Sequence, residues 1–176
     1  VLELYEKFSS YTDPGEYAYL YKDLPEPLEE LCDLIKCQLI HPADVKQFID
    51  VIPKDRYYED PKFPNVEKLL EGLIQFDSNG LTFDRKPEHR LVVTCQLHAL
   101  LLASILKSRG IPTRLRYGFA PYLAKGKGLH IYHIICEVWN NKEKRWMFVD
   151  PDRNMVDFSR DQFELAGDVW LQFQNG

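Results

Sequence analysis

Residues 95–109 read CQLHALLLASILKSR, and Leu97, Ala99, Leu100, Leu101, Leu102, Ala103, Ile105 and Leu106 leave almost no polar face on a helix of that span. A helix apolar all round has to be surrounded, so this one belongs at the centre of the molecule. Thr94 suits its N-cap, and Gly110 and Pro112 end it. TRLRYGFA (113–120), HIYHIICEVW (130–139) and RWMFVD (145–150) then read as strands, the last two joined by the polar turn NNKEK (140–144). A buried helix followed by an antiparallel meander is α+β architecture.

The first ninety residues read as helical, with proline as punctuation. PLEELCDLIKCQLI (27–40) repeats apolar residues at Leu28, Leu31, Ile35 and Leu39. ADVKQFIDVI (43–52) is expected to form a shorter helix. NVEKLLEGLIQF (65–76) forms another, capped by Asn65. PKDRYYEDPKFP (53–64) is a connector without usable periodicity, SNGL (78–81) is a turn, and AKGKG (124–128) reads as a mobile loop. The expected division is a helical N-terminal region over 1–80 packed on a core over 81–176, one structural domain in all.

At 176 residues, with 45% apolar and 28% charged residues, the composition is that of a soluble globular protein. A net charge of −5 with the signs interspersed argues against nucleic acid as a partner. No apolar run approaches the ~20 residues of a membrane span, and no signal-peptide pattern opens the chain. Four cysteines are few for a disulfide scaffold, so a reducing cytoplasm is the expected compartment. A secreted origin stays open because the chain begins at Val1 rather than Met.

Chemistry concentrates at Cys95, His133 and Asp150. A thiol at a helix N-terminus meets free N–H groups and the positive end of the macrodipole, both of which favour thiolate. An imidazole can take and return its proton, and a carboxylate can fix the tautomer of that imidazole. Strand alternation puts His133 on one face with Ile135 and Glu137, and Asp150 on one face with Trp146 and Phe148. If Trp139 pairs with Lys144, His133 lies directly opposite Asp150, with Cβ atoms roughly 5 Å apart. If Trp139 pairs with Trp146, the two are diagonal neighbours at roughly 7–8 Å. A slip of one residue separates them onto opposite faces.

Rivals are weaker. His98, one turn beyond Cys95, is a second candidate base without an evident carboxylate. His130 and His133 form an H-x-x-H spacing, but strand residues three apart face opposite ways. Cys32 and Cys37, with His41 nearby, suggest a metal cluster until the helix is considered: five steps put the thiols roughly 140° apart. Lys107, Arg109, Arg114 and Arg116 read as a solvated basic rim or as a receiver for an acidic substrate group.

VTCQLHALLLASILKSRGIPTRLRYGFA, then HIICEVW, then RWMFVDP, resembles the transglutaminase-like superfamily over residues 90–151. The resemblance implies a papain-like fold with Cys95 as nucleophile, His133 as base and Asp150 as orienting acid. It implies a cysteine hydrolase or acyl transferase acting on a peptide, protein or small amide through a Cys95 thioester, with no cofactor and no metal. TDPGEYAYLYKDLPEPLEELCDLIKCQLIHP (12–42) is similar to the leader region of bacterial transglutaminase-domain proteins of unassigned function. Those continue past the equivalent of Gly176, so a truncated C-terminus is expected. Two departures stand out: Val93 where the family commonly has glycine, and Gln96, Leu97 and His98 where a polar, acidic, aromatic run is common. There is no paired CxxC zinc motif and no sign of calcium loops. The Cys95 N–H is a natural oxyanion donor; for the second, His89 and Arg90 are the candidates. The alternative is a catalytically inactive module that binds a partner through Tyr17, Tyr19, Tyr21, Tyr57 and Tyr58. Oligomeric state is not legible.

Overall fold

A computed structural model describes residues 1–124, 126 and 130–175, so most of the expected AKGKG loop lies outside the described residues. In chain order the α-helices are α1 (Leu2–Glu6), α2 (Leu28–Gln38), α3 (Val66–Phe76), α4 (Cys95–Ser108) and α5 (Ala166–Asn175). The strands are β1 (Leu39–Ile40), β2 (Leu91–Val92), β3 (Thr113–Phe119), β4 (Tyr132–Asn140), β5 (Arg145–Asp150), β6 (Met155–Phe158) and β7 (Glu164–Leu165). This is the α+β architecture read from the sequence. Among the described residues no helix is long and apolar enough to cross a membrane.

Every residue of α4 from Leu97 to Leu106 is buried, as its composition requires. It packs against α2 and α3 on one side and β3 and β4 on the other. Each enclosed leucine is worth about 2–3 kcal/mol against exposure, so this helix anchors the core. Its buried polar side chains have partners: Ser104 lies 2.7 Å from Tyr21 Oη, and His98 Nδ1 lies 3.0 Å from the Thr94 carbonyl. Gly110 stops the helix at φ +68, a conformation that costs glycine little.

The larger sheet runs β6-β5-β4-β3-β7, a meander with β7 added at the far edge. Its period-2 alternation is respected. Ile134, Cys136, Val138 and Val149 enter the core shared with α4, while Ile135 and Phe148 meet Ala120 and Phe163 on the opposite face. Glu137 lies on that second face, 1% exposed, and gathers Arg114 at 2.6 Å, Arg160 at 2.9 Å and Arg116 at 3.6 Å. The supposed basic rim is therefore structural. Lys107 and Arg109 complete the correction, since both donate to backbone carbonyls of the N-terminal region, Lys107 to Tyr5 and Lys7 and Arg109 to Leu24 and Pro25.

The N-terminal helices fall where periodicity places them, and Asn65 caps α3 by accepting from Lys68 N–H at 2.9 Å. Two details differ. Residues 42–48 wind as a 3-10 helix, shorter and tighter than the expected α-helix over 43–52. The two residues after α2 form β1, which pairs in parallel with β2, Leu39 beside Leu91 and Ile40 beside Val92. That small ladder carries the chain into Cys95.

Candidate active site

Cys95 opens α4 and is 6% exposed. Thr94 occupies the N-cap position, but its hydroxyl does not cap the helix. It donates to Asp60 Oδ1 at 2.6 Å, and the same carboxylate accepts the Thr94 N–H. The first-turn N–H groups are thus left free of a capping side chain. The neighbouring Glu59 accepts Val92 N–H at 3.0 Å and is clamped by Arg56 through two contacts of 3.1 Å. The connector without periodicity is the brace that holds the approach to Cys95.

In the sheet, Trp139 pairs with Trp146, the second of the two registers considered. His133 and Asp150 are therefore diagonal neighbours. His133 Nε2 lies 2.8 Å from Asp150 Oδ2, both groups almost fully buried. Asp150 Oδ2 also accepts from Tyr122 Oη at 2.7 Å, and Oδ1 accepts the N–H groups of Asp152 and Arg153. Burial alone would raise its pKa. The bonds from His133, Tyr122 and the backbone prevail and hold it below the usual carboxylate range. Tyr122 follows β3 in a short 3-10 turn that no periodicity announces.

Burial would raise the Cys95 thiol, but His133, His41 and the backbone of Ile134 act on its sulfur and bring it down to about 7. Burial works against the His133 cation too, but its bonds to Asp150 and Cys95 carry that imidazole up to about 10. Other enclosed thiols go the opposite way: burial pushes Cys32 up to about 12 and Cys136 well above its ordinary value. A thiolate–imidazolium pair is the favoured state of Cys95 and His133 near neutrality.

The rivals resolve physically. His98 is fully enclosed, with Asp152 Oδ1 3.9 Å from its Nε2, so a carboxylate does face it; burial depresses its pKa, and it is not among the groups bonded to the sulfur. His130 pairs with Glu164 at 2.7 Å, away from His133. Arg90 donates its guanidinium to the Arg85 carbonyl, and the N–H groups of His89 and Arg90 go to Lys86 and Pro87, so neither serves the thiol. Val93 is fully buried in the main core. Tyr21 is enclosed as well and leaves the set of exposed tyrosines.

One donor set could hold a cation: His133, Asp150 and Asp152 offer ligand atoms within 4.8 Å of one another. The atoms of the first two are already spent on each other and on Tyr122. A polar cleft of about 240 Å³ is lined by His41, His98, Asp152, Arg153, Arg90 and Phe48 among others.

His41 and Asp60 are the residues that sequence reasoning missed. Both come from distant positions, His41 towards Cys95 and Asp60 onto the preceding Thr94, and only the short parallel ladder and the connector bring them there.

No curated protein and no solved structure matches the chain. Residues 78–151, the segment that carries Cys95, His133 and Asp150, match the model of the transglutaminase-like superfamily.

Proposed function

We propose that the protein is a cysteine hydrolase or acyl transferase acting on an amide of a peptide, protein or small molecule, with Cys95 as nucleophile, His133 as acid and base, and Asp150 as its orienting carboxylate. Cysteine-dependent amide hydrolysis or acyl transfer is the trait of the superfamily. The observation that carries the reading is the buried 2.8 Å contact between His133 and Asp150, with Cys95 at the N-terminus of α4 as the thiol whose pKa His133 lowers.

In this mechanism the thiolate attacks the carbonyl carbon. A C–S bond forms and the carbonyl π pair moves onto oxygen. As the pair returns, the C–N bond breaks and His133 gives its proton to the leaving amine. The thioester remains. His133, now neutral, takes a proton from water or from a second amine as that nucleophile attacks, and loss of the sulfur restores the ion pair.

The 6% exposure of Cys95 favours a second reading, a binding module with an inert thiol. Incubation with p-nitrophenyl acetate, followed by intact mass and peptide mapping, separates the two. An acetyl group on Cys95 that is discharged by water or by added glycine amide supports the enzyme. Absence of the adduct, together with alkylation by iodoacetamide that is equal in wild type and His133→Ala at every pH, overturns it.

A further inference from the structure

We propose that His41 is the second donor of the oxyanion hole, presenting its Nε2–H to the oxygen that the Cys95 N–H also meets. The proposal rests on the reading of Cys95 as nucleophile and assigns the donor that this reading leaves open.

Placement comes from the parallel ladder. Ile40 sits beside Val92, and the Val93 N–H donates to the Ile40 carbonyl at 2.9 Å. The next step along both chains puts His41 beside Val93, two residues before the thiol. From there the imidazole and the thiol act on one another: burial would lower the His41 pKa, but Cys95 raises it, and His41 in turn lowers Cys95. It lines the polar cleft as well.

Its tautomer follows from the other ring nitrogen. Nδ1 accepts the Ala43 N–H at 3.1 Å and so caps the 3-10 helix Pro42–Phe48. A nitrogen that accepts carries no proton, so in the neutral ring the hydrogen is on Nε2. That nitrogen is the one left to meet the sulfur. The two imidazoles at Cys95 are therefore set for different work. His133 has a carboxylate behind it and can hold an extra proton; His41 has a backbone N–H behind it, which favours the neutral ring against the upward pull of Cys95 on its pKa and in either state leaves the hydrogen on Nε2. In the resting site the Nε2–H lies on the thiolate. When the C–S bond forms, negative charge moves from sulfur to the adjacent oxygen, and a donor already aimed at the sulfur can follow it with little rearrangement. The Cys95 N–H, free of the Thr94 hydroxyl, supplies the other bond.

Two substitutions divide the ring. His41→Asn keeps an acceptor where Nδ1 caps Ala43 and removes the Nε2 donor. His41→Gln loses the cap and places an amide N–H near the Nε2 position. Acylation of Cys95 by p-nitrophenyl acetate builds an oxyanion; alkylation by iodoacetamide, a displacement at a methylene carbon, does not. With both rates measured on the plateau where the thiol is fully ionised, His41→Asn should slow acylation about 100-fold while alkylation stays within about threefold. His41→Gln should recover acylation to within about tenfold of wild type. Equal slowing of both reactions in His41→Asn, or slowing of neither, overturns the proposal while leaving Cys95 as nucleophile. Acylation as fast in Cys95→Ser as in wild type overturns the nucleophile and, with it, the role of His41.

Discussion

His133 Nε2 lies 2.8 Å from Asp150 Oδ2 across a diagonal of the β4–β5 ladder, an arrangement set by Trp139 standing opposite Trp146. With Nε2 held by the carboxylate, Nδ1 is the ring nitrogen left to serve the thiol. The carboxylate is 0% exposed, so its charge acts on the imidazole with little screening by water.

The first prediction concerns pH. With Cys95 brought down to about 7 and His133 carried up to about 10, the ion pair persists between those values. Amide turnover should rise through about pH 7 as the thiol ionises and fall near 10 as the imidazolium loses its proton. Iodoacetamide alkylation should be half-maximal near pH 7, and His133→Ala should move that midpoint upward. Stability follows the same groups. The raised His133 contributes fully below its ordinary 6.5 and loses its contribution as pH climbs towards 10; the lowered Cys95 contributes fully above its ordinary 9.0 and loses its contribution as pH falls through 7. Between 7 and 9 the two slopes oppose each other, so denaturant midpoints should stay nearly flat there.

The carboxylate gives the second prediction. Asp150→Asn keeps the shape but removes the charge that holds His133 in its tautomer, and should cut turnover by up to about 10⁴-fold. Tyr122→Phe removes one of the four hydrogen bonds at Asp150 and should cost about tenfold, since a bond to a charged group is worth ~1.5–3 kcal/mol. Steady-state rates for both variants, set beside their urea midpoints, separate this from loss of fold.

Much of this was legible because it is local. The apolar run of α4 could only be a buried helix, and strand alternation left two usable registers for His133 and Asp150, one of which is the observed one. The remainder depends on contacts that no local pattern encodes. His41 arrives through a ladder of two-residue strands, too short for periodicity to register. Asp60 sits in a proline-flanked connector whose value lies wholly in what it grips. The arginines at 114 and 116 looked like a solvated rim because their carboxylate, Glu137, is on the neighbouring strand.

That carboxylate supplies the third prediction. Glu137 is 1% exposed and neutralises Arg114 and Arg160 directly, with Arg116 a little farther away. Removing Glu137 leaves its arginines without a partner, but they are 27–60% exposed and water can reach them, so the cost is below that of a fully buried pair, about 1–2 kcal/mol. Glu137→Gln should lower stability by roughly that amount in urea unfolding. Alkylation of Cys95 in the folded variant should keep its pH midpoint, since the cluster lies apart from the groups bonded to the sulfur.

Gly118 provides the fourth, because it stands between His133 on β4 and Leu165 on β7. A Cβ built there would lie 2.1 Å from the Glu164 carbonyl oxygen and 2.7 Å from the Phe163 ring. The ring can tilt. The carbonyl is backbone and can yield only if β7 leaves its place at the sheet edge. Gly118→Ala should therefore destabilise by about 1–3 kcal/mol, and amide exchange should show β7 losing protection before β4 does. Gly110→Ala is the control. Its Cβ would meet nothing within 4 Å, so the left-handed conformation at φ +68 is the whole penalty, about 1 kcal/mol, and β7 protection should not change. If Gly118→Ala matched the control in both measurements, the close approach of β7 would not be what keeps that position bare.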